Sequence, residues 1–412
     1  MVFLFQADQK VDAKRENQLV AIAALLDRYV KSGAELEVNL SAEVRELVLN
    51  SFAKWTKKQT YDNVRDLLDP AYKEIFRLIE TDSYPRFVRD FKQERLNALN
   101  AAKGSHYCNF RVGENGFTYV LLRHASGHEI DVYLHGAHLT RWSNAQGQPL
   151  LFLSESAIFR EGKAIRGGVP IVFPQFGPTG PLRQHGFARD SPWEFLSMER
   201  DPNSGDVSLT LRLTSHNSKG ECVHSCPAPS DWKAPKGSEK ETDSEAHFEV
   251  QMRFVLQEKT LSIEMEVIHA IGRPLAFTAA LHTYFDVVDI SNATIRGLEN
   301  LRYLDQLTGT HQVEEHPSIV IDREVDRIYE DIGSNHSIFI SIPSQYRTFE
   351  LKQEGFNDGV LWNPWIEKAQ RMADFGNDEY KKMVCFEAAA IKTPITLQAG
   401  ENWKGKQVMT VL

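Results

Sequence analysis

His247-Phe248-Glu249-Val250-Gln251-Met252-Arg253-Phe254 and, shortly after it, Leu261-Ser262-Ile263-Glu264-Met265-Glu266-Val267 alternate apolar and polar residues. A strand points successive side chains to opposite faces, so each run has one dry face and one wet face. Runs 117–122, 129–134 and 207–213 read the same way, rich in β-branched and aromatic residues and separated by turn residues at the spacing of a sandwich. Helical periods are scarce from 105 to 412, so this part is expected to form one all-β sandwich domain. Residues 216–246, polar and rich in Pro and Ser, read as a surface insertion.

Ahead of Gly104 the period changes. Leu19, Ile22, Leu25, Leu26 and Tyr29 fall at helical spacing, as do Val44, Leu47, Val48, Phe52 and Trp55, and Leu68, Tyr72, Ile75, Phe76 and Ile79. Ser41 ahead of Ala42-Glu43 fits an N-cap. The expected organisation is an all-α bundle over 1–100 followed by the sandwich over 105–412.

The 412-residue chain carries a net charge of −9, which argues against nucleic acid as a general partner. No run of eighteen apolar residues suggests a membrane span, and the opening MVFLFQADQK is too short and too soon charged for a secretory signal. Four cysteines do not make a disulfide framework, and a cytoplasmic, reducing location is expected.

Against this acidic background, Ile165-Arg166-Gly167-Gly168-Val169-Pro170 and Gln184-His185-Gly186-Phe187-Ala188-Arg189 concentrate cationic and polar side chains among glycine and proline. Glycines permit tight backbone and prolines fix turns, so such segments present side chains at a rim. Arginine's planar fork suits phosphate or carboxylate. Downstream lie Leu281-His282-Thr283-Tyr284-Phe285, Asp326 within Glu324–Tyr329, Trp362-Asn363-Pro364-Trp365, and Glu387 inside the apolar run Val384–Ala389. A carboxylate within an apolar strand is costly to bury, and desolvation makes it a stronger base. Taken singly, each residue has an ordinary reading: a strand-end Glu387, a hydrogen-bonded core His282, arginines in surface ion pairs, a solvated Asp326, packing tryptophans. Their joint order carries the argument. Cys222-x-x-x-Cys226 with His224 between them offers too few donors for a closed zinc site, so no metal and no cofactor are expected.

The ordered motifs IRGGVP, FPQFG, QHGFAR, LHTYF, WNPW and VCFEAAA, with PITLQAGENWKGKQ at the end, resemble the hexose-6-phosphate mutarotases, relatives of galactose mutarotase, over residues 105–412. The resemblance implies a galactose mutarotase-like supersandwich that interconverts anomers of a hexose 6-phosphate. It implies His282 as general acid and Glu387 as general base, on opposite sides of the C1–O5 unit. It implies Arg166, Gln184 and Arg189 on the phosphate, Asp326 on a sugar hydroxyl, and His185 near the ring. Two other readings compete. An aldose 1-epimerase for unphosphorylated sugars would not need Arg166 and Arg189. A sugar-phosphate-sensing, G-protein regulatory scaffold would not need both His282 and Glu387.

The front segment LLDPAYKEIFRLIETDSYPRFVRD, with 37–47 upstream, resembles the end of a regulator of G-protein signalling (RGS) domain. The resemblance implies a Gα subunit as partner, touched by Ser51, Leu78, Asp82, Ser83 and Arg86. Val2-Phe3-Leu4-Phe5 falls near the middle of such a domain, so a partial domain is expected.

Overall fold

The computed structural model describes residues 42, 45, 46, 49, 50, 96, 97, 100, 101, 104–217, 220–230, 245–334 and 336–412. Ala42, Arg45, Glu46, Leu49 and Asn50 are helical. Apart from Leu96, Asn97 and Asn100, the rest of the expected front bundle lies outside the described residues, as do Ser51, Leu78, Asp82, Ser83 and Arg86. The chain divides into compact units Met1–Glu94 and Arg95–Leu412. The second unit takes in the helical positions Leu96, Asn97, Asn100 and Ala101 as well as the strands. Leu96 is buried in its core, and the Asn100 amide pairs both backbone groups of Phe110 at 2.8 and 2.9 Å.

The second unit is built from three antiparallel sheets. A four-stranded meander runs Cys108–Val112, Thr118–Arg123, Glu129–Tyr133, His138–Ser143. A nine-stranded sheet has Asn402–Val411, Thr260–Ile271, His247–Leu256 and Val207–Thr214 side by side, running from its middle toward one edge. An eight-stranded sheet centres on Asp358–Asn363, Met383–Leu397 and Leu275–Leu281, with Val325–Tyr329 beyond the first and the short Tyr284–Asp286 also paired to Met383–Leu397. The alternating runs read from sequence therefore form strands with nearly the expected bounds.

Phe248, Val250, Met252, Phe254, Leu261, Ile263, Met265 and Val267 are all buried, whereas Glu249, Gln251, Glu264 and Glu266 are only partly so. The register pairs Met252 with Met265 and Phe254 with Ile263, stacking apolar on apolar along one face. One apolar cluster joins residues of all three sheets. Burying a side chain of this size contributes roughly 1.5–3 kcal/mol, which is what fixes the register.

The strand Met383–Leu397 differs, because its first eight residues are all buried. Val384, Phe386, Ala388 and Ala390 enter the main cluster, while Met383, Cys385 and Ala389 belong to a second cluster with Tyr284, Val360 and Trp362. Period-two geometry thus gives this sheet two faces: one in the main core, the other lined by a separate aromatic layer.

At the end of Tyr284–Asp286, burial pushes the Asp286 carboxyl up to about 6, against the opposing pull of Arg347 and Lys382. Arg347 Nη1 stands 3.9 Å from it and donates instead to the Pro149 carbonyl. The folded value lies above the unfolded one, so this group's contribution is whole below the unfolded pKa and is lost as pH rises through about 6. Asp286→Asn is expected to gain on the order of 1 kcal/mol relative to the parent between pH 5 and pH 8. Thermal melts of both proteins at the two pH values check this, and a difference independent of pH would refute it.

Candidate active site

Parity assembles the site. Glu387 shares a face with Cys385 and Ala389, away from the main core. On the neighbouring strand the register pairs Ala280 with Ala389 and Leu281 with Ala388, so His282, two residues past Ala280, comes up on that same face. On the other side Trp362 pairs with Cys385, and Asp326 pairs with Trp362. Four strands thereby deliver His282, Glu387, Trp362 and Asp326 to one patch.

His282 Nε2 lies 3.4 Å from Glu387 Oε1, and both side chains are almost fully buried. His282 Nδ1 and Glu387 Oε2 have no hydrogen-bond partner, although buried polar atoms are ordinarily satisfied. The imidazole stacks on Tyr284 at 4.7 Å with planes 9° apart, and Trp362 meets it edge-on at 5.6 Å. Beneath them Thr283, pointing the other way, donates to Gln407 of the nine-stranded sheet at 2.8 Å. The acid–base expectation needs one correction. At 3.4 Å the two groups leave no room for a sugar between them, because adjacent strands in this register place them side by side. They can address O1 and O5, the two oxygens on one anomeric carbon, from the same side.

The glycine segment brings in the first arginine. The His282 and Tyr284 amides donate to the Pro170 and Gly168 carbonyls, so 166–170 runs alongside 282–284. Gly168 has φ +60°, and a Cβ there would stand 2.1 Å from the Leu139 carbonyl oxygen, so this close approach admits glycine alone. Arg166 then donates to the Tyr284 hydroxyl at 3.0 Å and to Asp374 Oδ2 at 3.1 Å. The second segment turns at His185, φ +65°, and Gly186, where a Cβ would lie 2.1 Å from the Phe173 carbonyl oxygen. A bulky residue with positive φ is a strained backbone position of the kind that gathers at functional sites. His185 packs 5.9 Å from His282, and Arg189 donates to the Gln184 carbonyl at 2.8 Å. The Nε–H groups of Arg166 and Arg189 are buried without a partner.

Electrostatics follow from this crowding. Burial, helped by His185 and the two arginines, holds the His282 imidazolium well below its ordinary range. Burial, and then Asp326, pushes the Glu387 carboxyl well up, while Arg189 pulls against them. His185 is lowered to about 3 by burial and the same two arginines. Burial and Arg166 lower even the Arg189 guanidinium. Two groups at this distance titrate as a pair that can hold one proton between them. Asp326, itself raised by burial, accepts from Gln306 at 2.5 Å, and Lys368 stands 3.4 Å away.

The structure thus brings His282, Glu387, Arg166, His185, Arg189 and Asp326 together, with Gln184 at the exposed rim. Sequence reasoning gave no part to Tyr284 or Asp374. Tyr284 carried a signal, since it lies two residues past His282 and so shares its face; Asp374 carried none. Of the WNPW aromatics, Trp362 faces the site while Trp365 packs on Tyr380.

A buried imidazole–carboxylate pair beside two half-buried arginines, on an antiparallel sandwich, agrees with what the resemblance to the mutarotases implied. Residues 118–227 and 235–410 match the family model of aldose 1-epimerase, and the chain belongs to that family and is an isomerase. The break in the match falls within the 216–246 insertion. A protein named "Putative glucose-6-phosphate 1-epimerase" from Cenchrus ciliaris is 38% identical over 302 residues, covering 72% of this chain and 86% of that one. One of the same name from Escherichia coli is 31% identical over 265 residues, 62% of this chain and 78% of its own. The crystal structure of a "putative mutarotase" from Salmonella typhimurium superposes with a TM-score of 0.62 at 28% identity, over 74% of this chain and 94% of that one. Residues 3–96 match the model of the regulator of G protein signaling domain. Among the described residues no helix is long and apolar enough to cross a membrane.

Arg189 opposes protonation of both His282 and Glu387. Arg189→Gln is therefore expected to move both limbs of the pH profile of kcat/KM to higher pH. The substrate's own ionisation is common to the two proteins and cancels in the comparison. Limbs that stay put would show that Arg189 does not act on the pair.

Proposed function

We propose that the enzyme interconverts the α and β anomers of hexose 6-phosphates, chiefly glucose 6-phosphate. The observation that carries this reading is the pair of half-buried arginines, each with a buried and unpartnered Nε–H group, beside His282 and Glu387. A free sugar has no group that needs two guanidinium forks, whereas a phosphate accepts from both. Each charge-assisted hydrogen bond contributes roughly 1.5–3 kcal/mol, so the two separate the phosphate sugar from the free sugar by about 10²–10⁴-fold.

Glu387 takes the proton from the C1 hydroxyl while His282 gives one to the ring oxygen, and the C1–O5 bond breaks to leave the aldehyde. The C1–C2 bond rotates. Attack by the C5 hydroxyl on the other face returns its proton to His282, and the new O1 takes one back from Glu387. The pair ends as it began, so each anomer can enter in turn. An acid or base so positioned contributes about 10²–10⁴-fold, and the phosphate clamp holds C1 against the pair. Arg166 and Arg189 oppose a charged His282; a bound phosphate dianion offsets them and favours the acid form. Asp326 is within the patch to receive a ring hydroxyl, with Gln184 and His185 at its edge.

Anomer exchange followed by NMR tests the reading. Glucose 6-phosphate is expected to exchange far above buffer and free glucose barely. Glu387→Gln is expected to abolish turnover and retain phosphate-sugar binding. Arg166→Ala with Arg189→Ala is expected to raise KM for the phosphate sugar by about 10² or more, with little effect on free glucose. Equal loss on both sugars would remove the clamp and favour a general aldose 1-epimerase.

The match over 3–96 supports a second role: the front segment is a docking module for a Gα subunit, through Ser51, Leu78, Asp82, Ser83 and Arg86. Binding of the full chain to Gα loaded with GDP and aluminium fluoride is the expected result. No binding, or binding unchanged by Asp82→Ala with Arg86→Ala, would overturn it.

A further inference from the structure

We propose that His216, Cys222 and Glu245 form a binding site for zinc or a similar divalent ion, which ties together the two ends of the 216–246 insertion. Of Cys222, His224 and Cys226, which the sequence sets close together, only Cys222 takes part. Cys226 is buried, and its backbone carbonyl takes a hydrogen bond from Arg273 at 2.6 Å. The His224 ring stacks on Phe187 at 4.5 Å. The donors that converge come from different places. His216 follows the strand Val207–Thr214, Cys222 lies six residues into the insertion, and Glu245 stands two residues before the strand His247–Leu256.

Their ligand atoms, one nitrogen, one sulfur and one oxygen, all lie within 4.8 Å of one another. His216 Nε2 and the Glu245 carboxylate are 3.5 Å apart. That is longer than a good hydrogen bond. It is close to the ~3.4 Å edge of a tetrahedron built on ordinary Zn–N and Zn–O bonds. The Cys222 sulfur lies within 4.8 Å of both and donates to the His224 carbonyl at 3.6 Å. The mixed set suits zinc, a borderline-soft ion, better than magnesium or calcium, which take oxygen.

The surroundings hold the donors in place. Ser215 Oγ lies 2.8 Å from His216 Nδ1 and also accepts the Phe248 amide. With its second lone pair it can accept Nδ1–H, which leaves Nε2 bare for a metal, the usual way an outer partner sets the tautomer of a ligating histidine. The His247 ring lies flat on that of His216, 3.7 Å away with planes 4° apart, and fixes its orientation. A β-bridge between His216 and Cys222 locks the nitrogen and sulfur donors to each other. Binding would replace the thiol proton of Cys222, released to solvent, with a metal–sulfur bond. Three protein donors leave a fourth position to water.

Tag-free, full-length protein, reduced and then freed of chelator, supplies the test. Titration with Zn2+ against a chromophoric chelator is expected to give one ion per chain. Co2+ is expected to give a thiolate-to-cobalt charge-transfer band. Cys222→Ser should lose the band, and His216→Ala and Glu245→Gln should each weaken binding about tenfold or more. On the unaltered chain, Zn2+ should slow alkylation of Cys222, the one thiol not buried among the four. This readout stands even if a variant fails to fold. Failure of Zn2+ to protect Cys222, affinity for Zn2+ weaker than about 1 mM, or a band that survives Cys222→Ser would overturn the proposal.

Discussion

Glu387 is a carboxylate with buried neighbours on every side and no hydrogen-bond donor for one of its oxygens. Removing an unpaired carboxylate from water is among the largest penalties a fold can carry. Here burial and Asp326 push the carboxyl pKa well up, while Arg189 pulls it back. Much of the architecture around it answers to that constraint. The strand that bears it is shielded on both faces, its aromatic layer excludes water, and a Thr283–Gln407 bond ties the sheet beneath it to the opposite one. The same dryness makes the pair chemically useful, because an imidazole and a carboxylate that both resist charge exchange a proton with little cost.

The proposed substrate is an anion, whereas the protein has a net charge of −9. The cationic groups that would meet it are gathered locally. Two backbone segments, each closed by a glycine that admits no side chain, carry arginines over the acid–base pair from outside the sheet. Arg166 is aimed by Tyr284 and Asp374, so its fork does not wander when no ligand is present. The clamp and the reacting pair are coupled through charge: whatever neutralises the arginines alters the proton affinity of His282.

The strands were legible because alternation is a local signal; 247–254 and 261–267 carry it residue by residue. The site was legible through the order of its motifs and through Glu387 standing in an apolar run. Side-by-side geometry was not, because it depends on the register Leu281 to Ala388, and register is a pairing between distant segments. Asp374 was invisible for the same reason, since its partner is more than two hundred residues away. The His216, Cys222 and Glu245 group shows the limit from the other side. Spacing along the chain set Cys222, His224 and Cys226 together as too few donors for a metal, whereas folding turned two of these away and drew in residues from both ends of the insertion.

The division of labour along Met383–Leu397 has a consequence for how such an enzyme changes over evolutionary time. Val384, Phe386, Ala388 and Ala390 answer to the main core, whereas Cys385, Glu387 and Ala389 face the candidate site. Substitutions at the odd-numbered positions, and at Trp362 beside them, alter what the patch accepts without opening cavities in the main core. Selectivity for one hexose over another can therefore drift on one side of a strand while the other side keeps the fold, and a single stretch of chain evolves at two rates.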